Sequence, residues 1–552
     1  DDTLSPLLAA VRRLHDDGRS SLTRHQLLRA ALDVIPPDGH TPAALRAAAE
    51  QLVTQLQSSP MLIALTAPEV LTTQPALVRS DGTSVYTRPD RERWTLTAQL
   101  DQERWLLDVA TGRAGSALPD PAVEAALARA NLGVGQAFAV RQLASDPRRI
   151  GLLVGAAGTG KTSALAALVD AHTTAGIPVV GLTVSQAAAD VLADLGHLRA
   201  ENTAKWLHET RHGRWQLPDG ALLLIDEASM LPTDQLVELV TQARSHDSRI
   251  VLVGDPAQLP AVGPGGAFAL LCDRHDPVEL TEVRRFAQPW EAIASLQLRH
   301  RDPAALAAYA MRDRIHGAPA DLVEPQLFDA WLTDTVTMDE HGPRRDVLMI
   351  VGTNEQAARL ARQAREALLA AGIVEPGPTV TLADNRASVG DVIVTRRNDR
   401  HTVDQHGRWV VNGDTWRITA VHLDGAVTAA RASGNGTVRL EPDYLAAHTH
   451  LAYATTVHRT QGRTVDIAHA LVTDDTSHGQ LYVGATRGRD ANHLWVATDP
   501  ARGQHDPPDP KQVLAAILRR RDGSRRAAHH TLEDLHTDVG SLAKLNAIYE
   551  DA

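Results

Sequence analysis

Eight consecutive residues, Gly155-Ala156-Ala157-Gly158-Thr159-Gly160-Lys161-Thr162, fit the phosphate-cradling pattern G-x-x-x-x-G-K-[ST]. Glycines at this spacing let backbone N–H groups close around phosphate oxygens, at a helix N-terminus already polarised for anions. In such a loop Lys161 reaches the β- and γ-phosphates and the Thr162 hydroxyl ligates Mg²⁺. Further on, the apolar run Leu222-Leu223-Leu224-Ile225 ends in Asp226-Glu227. The first acid suits Mg²⁺ held through water, and the second suits orienting and deprotonating the attacking water. A third segment, Val251-Leu252-Val253, leads into Gly254-Asp255-Pro256-Ala257-Gln258-Leu259-Pro260, where Gln258 can sense the γ-phosphate and the water. Gly-Asp-Pro alone would be a turn; the Gln-Leu-Pro that follows makes it specific. Together these residues imply binding and hydrolysis of a nucleoside triphosphate.

The three segments must converge on one sheet edge. Ile150 to Val154 is a short apolar run suited to a buried strand, and the Ala/Leu-rich stretch after Thr162 favours a helix. Strand-like runs at Gly151–Val154, Val179–Thr183, Leu222–Ile225 and Ile250–Val253 alternate with helical segments, which predicts a parallel sheet with helices on both faces. A second α/β unit is expected from about Pro277 to Thr498, with strands at Val278–Val283, Val347–Val351, Ala468–Val472 and Leu494–Ala497. Within it, short β-rich pieces at Asp391–Thr395, Arg408–Val411, Thr415–Val421 and Gly436–Leu440 suggest a small inserted SH3-like β-barrel at about 391–442. Near the start, Ser21–Pro36 and Thr41–Ser58 read as amphipathic helices, Pro60–Thr66 and Ser84–Thr87 as strands, and Thr95–Ala110 as a helix. That order suggests a winged-helix-like module. The expected organisation is an N-terminal helical, winged-helix-like domain (1–120), a first α/β domain with the phosphate loop (121–275), a second with the inserted barrel (276–500), and a linker and tail (501–552).

In this order the motifs resemble those of superfamily 1 helicases of the RecD-like branch, a group of P-loop NTPases. Gly133-Val134-Gly135-Gln136-Ala137 matches the segment whose glutamine, Gln136, reads adenine. Thr183-Val184-Ser185-Gln186-Ala187-Ala188 and Thr203-Ala204-Lys205-Trp206-Leu207 look like single-strand contact segments, which would place Ser185 and Thr203 on DNA. Leu280-Thr281-Glu282-Val283-Arg284-Arg285 resembles the motif whose arginine, here Arg285, touches the γ-phosphate. Ala452 to Gly462 resembles Thr-x-His-x-x-Gln-Gly, which couples ATP to DNA through Thr456, His458 and Gly462. Tyr482-Val483-Gly484-Ala485-Thr486-Arg487-Gly488-Arg489 resembles the last motif, with Arg487 as the finger. Val184 stands where proline is usual, and Phe286 where glutamine is common. The resemblance implies two RecA-like domains with ATP and Mg²⁺ between them. Its nucleotide contacts would include Gly155, Gly158, Thr159, Gly160 and Gly462, with Thr162 and Asp226 at the metal. It also implies 5′-to-3′ movement on single-stranded DNA and at duplex junctions. The segment from Ala452 to Asp466, the Trp206-Leu207 pair and the N-terminal helical region further resemble the helicase half of MobF-class conjugative relaxases. That implies conjugation machinery and an upstream relaxase as partners; a RecD-like repair motor and a non-hydrolysing DNA-docking module are the alternatives.

Bulk properties set the remaining bounds. A chain of 552 residues allows about three to four domains. With 43% hydrophobic but only 3% aromatic residues, aliphatic side chains must carry the packing. The net charge of −12 argues against a uniformly basic nucleic-acid coat, so any DNA track must be local. A single cysteine, Cys272, excludes an internal disulfide and points to a reducing cytoplasm. No apolar run approaches the roughly 18 residues of a membrane span. Opening at Asp1 rather than Met, the chain is expected to be part of something longer. His208-Glu209-Thr210-Arg211-His212 fits H-E-x-x-H, but Gly213 stops its helix and no third ligand follows, so it reads as an exposed polar segment. His448-Thr449-His450 reads as structural and His529-His530 as surface. Trp206, Trp215 and Trp290 are candidates for stacking on bases.

Overall fold

The computed structural model describes residues 5–37, 41–65, 92–114, 118–196, 198–337, 345–432, 434, 436–499, 506–520 and 526–539. Its centre is a six-stranded, wholly parallel sheet. The order is Arg199–Asn202, Val179–Thr183, Leu222–Ile225, Arg249–Gly254, Ile150–Gly155, Val278–Leu280. Three inner strands, Leu222–Ile225, Arg249–Gly254 and Ile150–Gly155, are buried along their whole length. Helices covering both faces of a parallel sheet require such continuous apolar runs. Register aligns the strand ends, with Ile225 beside Leu252 and Val154 beside Gly254, so the phosphate loop, Asp226 and Asp255 leave the sheet at one edge. Carboxyl ends of parallel strands are where ligands bind in open α/β sheets.

A second parallel sheet runs Ile315–Ala318, Gly488–Ala497, Val465–Val472, Val347–Val351, Ala454–Thr456. The strand expected in this unit at Val278–Val283 instead spans Val278–Leu280 and pairs with Ile150–Gly155, so the first sheet extends past residue 275. Two edge strands, Arg199–Asn202 and Ile315–Ala318, escaped the sequence analysis. Both lie partly open to solvent and carry polar or small residues, so neither shows an apolar run.

Between Val347–Val351 and Ala454–Thr456 the chain builds an antiparallel five-stranded sheet. Its order is Thr437–Leu440, Val427–Arg431, Thr415–Val421, Val392–Thr395, Thr449–Leu451. A ribbon of Asp399–Val403 with Trp409–Val410 accompanies it. The insert therefore continues past residue 442, and among the described residues its ladder order is open rather than closed. Trp416, Ile418 and Val427 share a core with Leu360 and Trp331, so insert and second sheet are one packed body.

The N-terminal unit has helices Ser5–Asp16, Arg24–Val34 and Pro42–Gln57 and an antiparallel sheet ordered Leu22–Thr23, Arg93–Leu96, Leu62–Leu65. Thr23 and Gln26 form a capping box that starts the second helix at Arg24, inside the expected Ser21–Pro36, while Leu22–Thr23 is a strand. The strand expected at Ser84–Thr87 lies outside the described residues.

The tail departs most from expectation. Pro510–Arg519 buries Leu514 and Ile517 beside Leu306 and Leu494 of the second unit. Ala528–Val539 docks on Thr97–Ala110. There the fully buried Glu103 accepts hydrogen bonds from the backbone of Ala528 (2.8 Å) and His529 (3.0 Å), and from Gln99 Nε2 (2.7 Å). A carboxylate at two N–H groups of a helix N-terminus is a favourable cap supplied from elsewhere in the chain. His529 and His530 are thus not surface residues: His529 meets Glu103 at 2.7 Å, and His530, 5% exposed, meets Asp273 at 2.7 Å. No helix among the described residues is long and apolar enough to cross a membrane.

Candidate nucleotide and nucleic-acid site

Gly160, in the left-handed region at φ 72°, delivers the chain into helix Lys161–Thr174. Gly158 (φ 83°) faces Arg285, whose Cβ lies 2.3 Å from where a Gly158 Cβ would be. Only glycine serves at both positions. The loop opens on a cleft of about 500 Å³ lined by Lys161, Thr162, Asp226, Glu227, Gln258, Arg285 and Arg487. Residues from both parallel sheets meet there, as their order in the sequence implied.

The charges in this cleft are poorly compensated. Lys161 Nζ folds back to donate to the carbonyls of Gly155 (2.8 Å) and Ala156 (3.3 Å). Burial holds its pKa below the usual lysine value, against the pull of Asp255 and Asp226. Asp226 is raised by burial; one of its oxygens accepts from the Glu227 backbone at 2.8 Å. Burial, then the adjacent Asp226, pushes Glu227 up to about 7. Glu227 also adopts φ 57°, an uncommon left-handed conformation for a side-chain-bearing residue. Gly462 (φ 80°) comes so close that a Cβ there would sit 3.3 Å from Glu227 Oε1.

Across the cleft, Arg487 is 2% exposed and has only uncharged partners among its hydrogen bonds: Val483 O (2.9 Å), Thr460 O (3.2 Å), Arg463 O (3.4 Å) and Thr486 Oγ1 (3.0 Å). Burial, then Arg285, pushes it down to about 9. Arg285 donates to Thr486 O at 2.7 Å and is likewise lowered by burial. Two desolvated guanidiniums and an ammonium beside one cleft form a set that a polyphosphate would complete.

Gln136 sits beside the loop. Its Nε2 donates to Gly160 O (2.9 Å), and its Oε1 accepts from Gly133 N (3.0 Å) and Arg284 Nη1 (3.3 Å). Gln258 Nε2 donates to Asp255 Oδ2 at 3.2 Å. Thr159 Oγ1 donates to Ala156 O at 3.0 Å and so braces the loop. Gln461, to which the motif alone assigns no role, lines the cleft, and among the described residues its Oε1 is buried without a hydrogen-bond partner.

The expected DNA contacts are mixed. Ser185 Oγ accepts from Ala188 N (3.2 Å) at a helix start. Thr203 is 2% exposed and gives its hydroxyl to Thr183 O (2.8 Å), a structural position rather than a surface one. Thr456 ends strand Ala454–Thr456, buried, and His458 follows, half-buried, on helix Val457–Thr460. Trp206 is fully buried, donating Nε1 to Gln242 Oε1 at 3.0 Å, so it stacks on no base. Trp215 is half-buried, with Arg199 3.9 Å and Lys205 4.7 Å from its ring centroid. Trp290 packs edge-on against Tyr309. His208 and His212 lie ring to ring at 4.4 Å on an exposed helix end, and the described residues contain no metal-binding cluster.

Residues 131–320 match a family model described as an AAA domain. The conjugal transfer protein TraA of Rhizobium radiobacter is 31% identical over 72% of this chain and 35% of its own length. The ATP-dependent RecD2 DNA helicase of Deinococcus radiodurans is 27% identical over 66% of this chain and 49% of its own. The similarity of this chain is thus to conjugal transfer proteins and to a RecD-type DNA helicase. The chain spans about a third of the length of its TraA relatives, between 31% and 35%. Among solved structures, the Pif1 helicase from Candida albicans aligns with 74% of this chain and 99% of its own, at TM-score 0.44 and 15% identity.

Proposed function

We propose that this chain hydrolyses ATP and uses the cycle to move 5′-to-3′ along single-stranded DNA, opening duplex junctions as the motor part of a conjugative relaxase-helicase. The observation that carries the ATPase reading is the cleft in which Lys161, Asp226 and Glu227 face Arg285 and Arg487. Lys161 binds the β/γ-phosphates, and Gln136 and the loop glycines Gly155, Gly158 and Gly160 place the nucleotide. Glu227 takes a proton from the attacking water, which Gln258 orients. Arg285 and Arg487 offset the charge that develops on the phosphoryl oxygens, so hydrolysis depends on the second lobe being in place; such a finger is worth roughly 10³–10⁵ in rate in related chemistry. Thr162 and Asp226 have the donor set for Mg²⁺, which when bound neutralises phosphate charge. Ser185, Thr456 and His458 contact the DNA backbone, giving little sequence selectivity. The domain division follows the two sheets, the first extended to include Val278–Leu280, and the setting is cytoplasmic.

The TraA relatives support the conjugative setting; the RecD2 relative supports a stand-alone RecD-like DNA helicase as the second reading. Strand separation on partial duplexes with a 5′ or a 3′ single-stranded tail tests the motor. ATP-dependent opening of the 5′-tailed substrate alone is expected; opening of the 3′-tailed one alone would sink the polarity. Absence of any ATPase would leave a docking module.

A further inference from the structure

Tyr482 lies on helix His478–Gly484 of the second lobe, yet its hydroxyl is bonded wholly within the first. It accepts from Ala157 N, inside the phosphate loop, at 3.1 Å, and donates to Asp255 Oδ2 at 3.1 Å. Burial and the Asp255 carboxylate push the phenol's pKa up, so the O–H stays a donor. Asp255 is a fully buried hub. Its Oδ1 takes Arg299 Nε at 3.0 Å and Ala257 N at 3.2 Å, and its Oδ2 also takes the Gln258 amide at 3.2 Å. The same helix touches this segment a second time: Gly479 lies against the Gln258 carbonyl, 3.0 Å from where its Cβ would be. Ala157 and Leu259 of the first lobe are buried in one cluster with Leu298, Leu481 and Val483. The seam is therefore dry, and a buried hydroxyl bridging two polar groups there would be missed if removed.

We infer that Tyr482 is a positioning residue through which the second lobe sets the phosphate loop at Ala157 and, by way of Asp255, the amide of Gln258. The helix that carries it runs directly into Thr486 and Arg487. DNA that shifts the second lobe therefore moves the finger, the loop and Gln258 as one unit. This inference rests on the ATPase reading given above.

The test uses the full chain with Tyr482→Phe, which keeps the ring and removes only the hydroxyl. ATP hydrolysis is measured with and without oligo(dT), together with binding of a fluorescent ADP analogue. ADP affinity should stay within about twofold of wild type, while kcat at saturating DNA falls about 10- to 100-fold and the ratio of DNA-stimulated to basal rate collapses toward one. Asp255→Asn should show the same loss of stimulation, and the double variant should lose no more than either single. An undiminished stimulation ratio in Tyr482→Phe overturns the inference, as does an additive loss in the double variant. A rise in KM with kcat intact overturns it too. If wild type is stimulated by DNA and Tyr482→Phe equally so, the coupling alone fails. A wild-type chain that binds nucleotide without ever hydrolysing it overturns the proposed function and the coupling together.

Discussion

Glu227 is held in two unfavourable states at once, a left-handed backbone and a carboxylate buried beside another. Such strain persists only where the surroundings enforce it, and it clusters at working sites. Because its pKa is raised to about 7, its folding contribution is fully present below about pH 4.5 and is lost as pH rises through 7. Glu227→Gln should therefore raise the Tm of the nucleotide-free protein by about 1–3 °C at pH 8, with no gain near pH 4, as read by thermal unfolding. The same variant should cut hydrolysis by about 10²–10⁴ while ADP still binds. In wild type, kcat/KM should climb through about pH 7 as the base ionises; a flat profile would exclude Glu227 as the base. Lys161, Asp226 and Gln258 were legible because each sits in a local pattern whose chemistry needs few neighbours. Tyr482 was not: its partners Ala157 and Asp255 are 325 and 227 residues away, and a tyrosine within a motif carries no sign of them.

At the scale of elements, continuous apolar runs announced the buried strands, whereas the polar edge strands had nothing to announce them. The tryptophans show the same limit. Trp206 and Trp215 look alike in sequence, yet one is fully buried and the other is half-buried with two cations against its ring. Trp206→Ala should destabilise the first lobe by about 3–5 kcal/mol, measured by chemical denaturation. Trp215→Ala should cost less stability than Trp206→Ala, since its ring only flanks the core, and should weaken oligo(dT) binding by about 1–3 kcal/mol. Unchanged affinity in a fluorescence anisotropy titration would remove Trp215 from the DNA path. The docking of helix Ala528–Val539 could not be read from the tail, because it depends on Glu103, a residue that reads as one more helical acid until the buried cap is seen.

Across the whole molecule, contacts tie distant parts of the chain around the first lobe. Gly18 (φ 94°) lets the N-terminal unit meet Val262 just beyond the Gln258 segment, and Gly266 (φ 93°) lies against Ala527. Ser20 donates its hydroxyl to the Arg526 carbonyl, and Arg274 pairs with Glu533. Glu103→Ala should free helix Ala528–Val539. Limited proteolysis is then expected to cut between residues 520 and 540 several-fold faster than in wild type, with ADP binding retained; an unchanged digestion pattern would mean that apolar packing alone holds this helix.

The Glu103 cap also gives the molecule a clock. Its partners Ala528 and His529 are 425 and 426 residues away. At about 5–20 residues per second of synthesis, the carboxylate spends roughly 20–85 s without them while the ribosome finishes the chain. During that interval the N-terminal unit and the first lobe can each fold, but Glu103 has only its neighbour Gln99 as a donor among the partners described above, with water in place of the two backbone N–H groups. Docking of Ala528–Val539 is therefore a late step of biosynthesis, and a product stalled before residue 528 would carry a wet Glu103 as its mark.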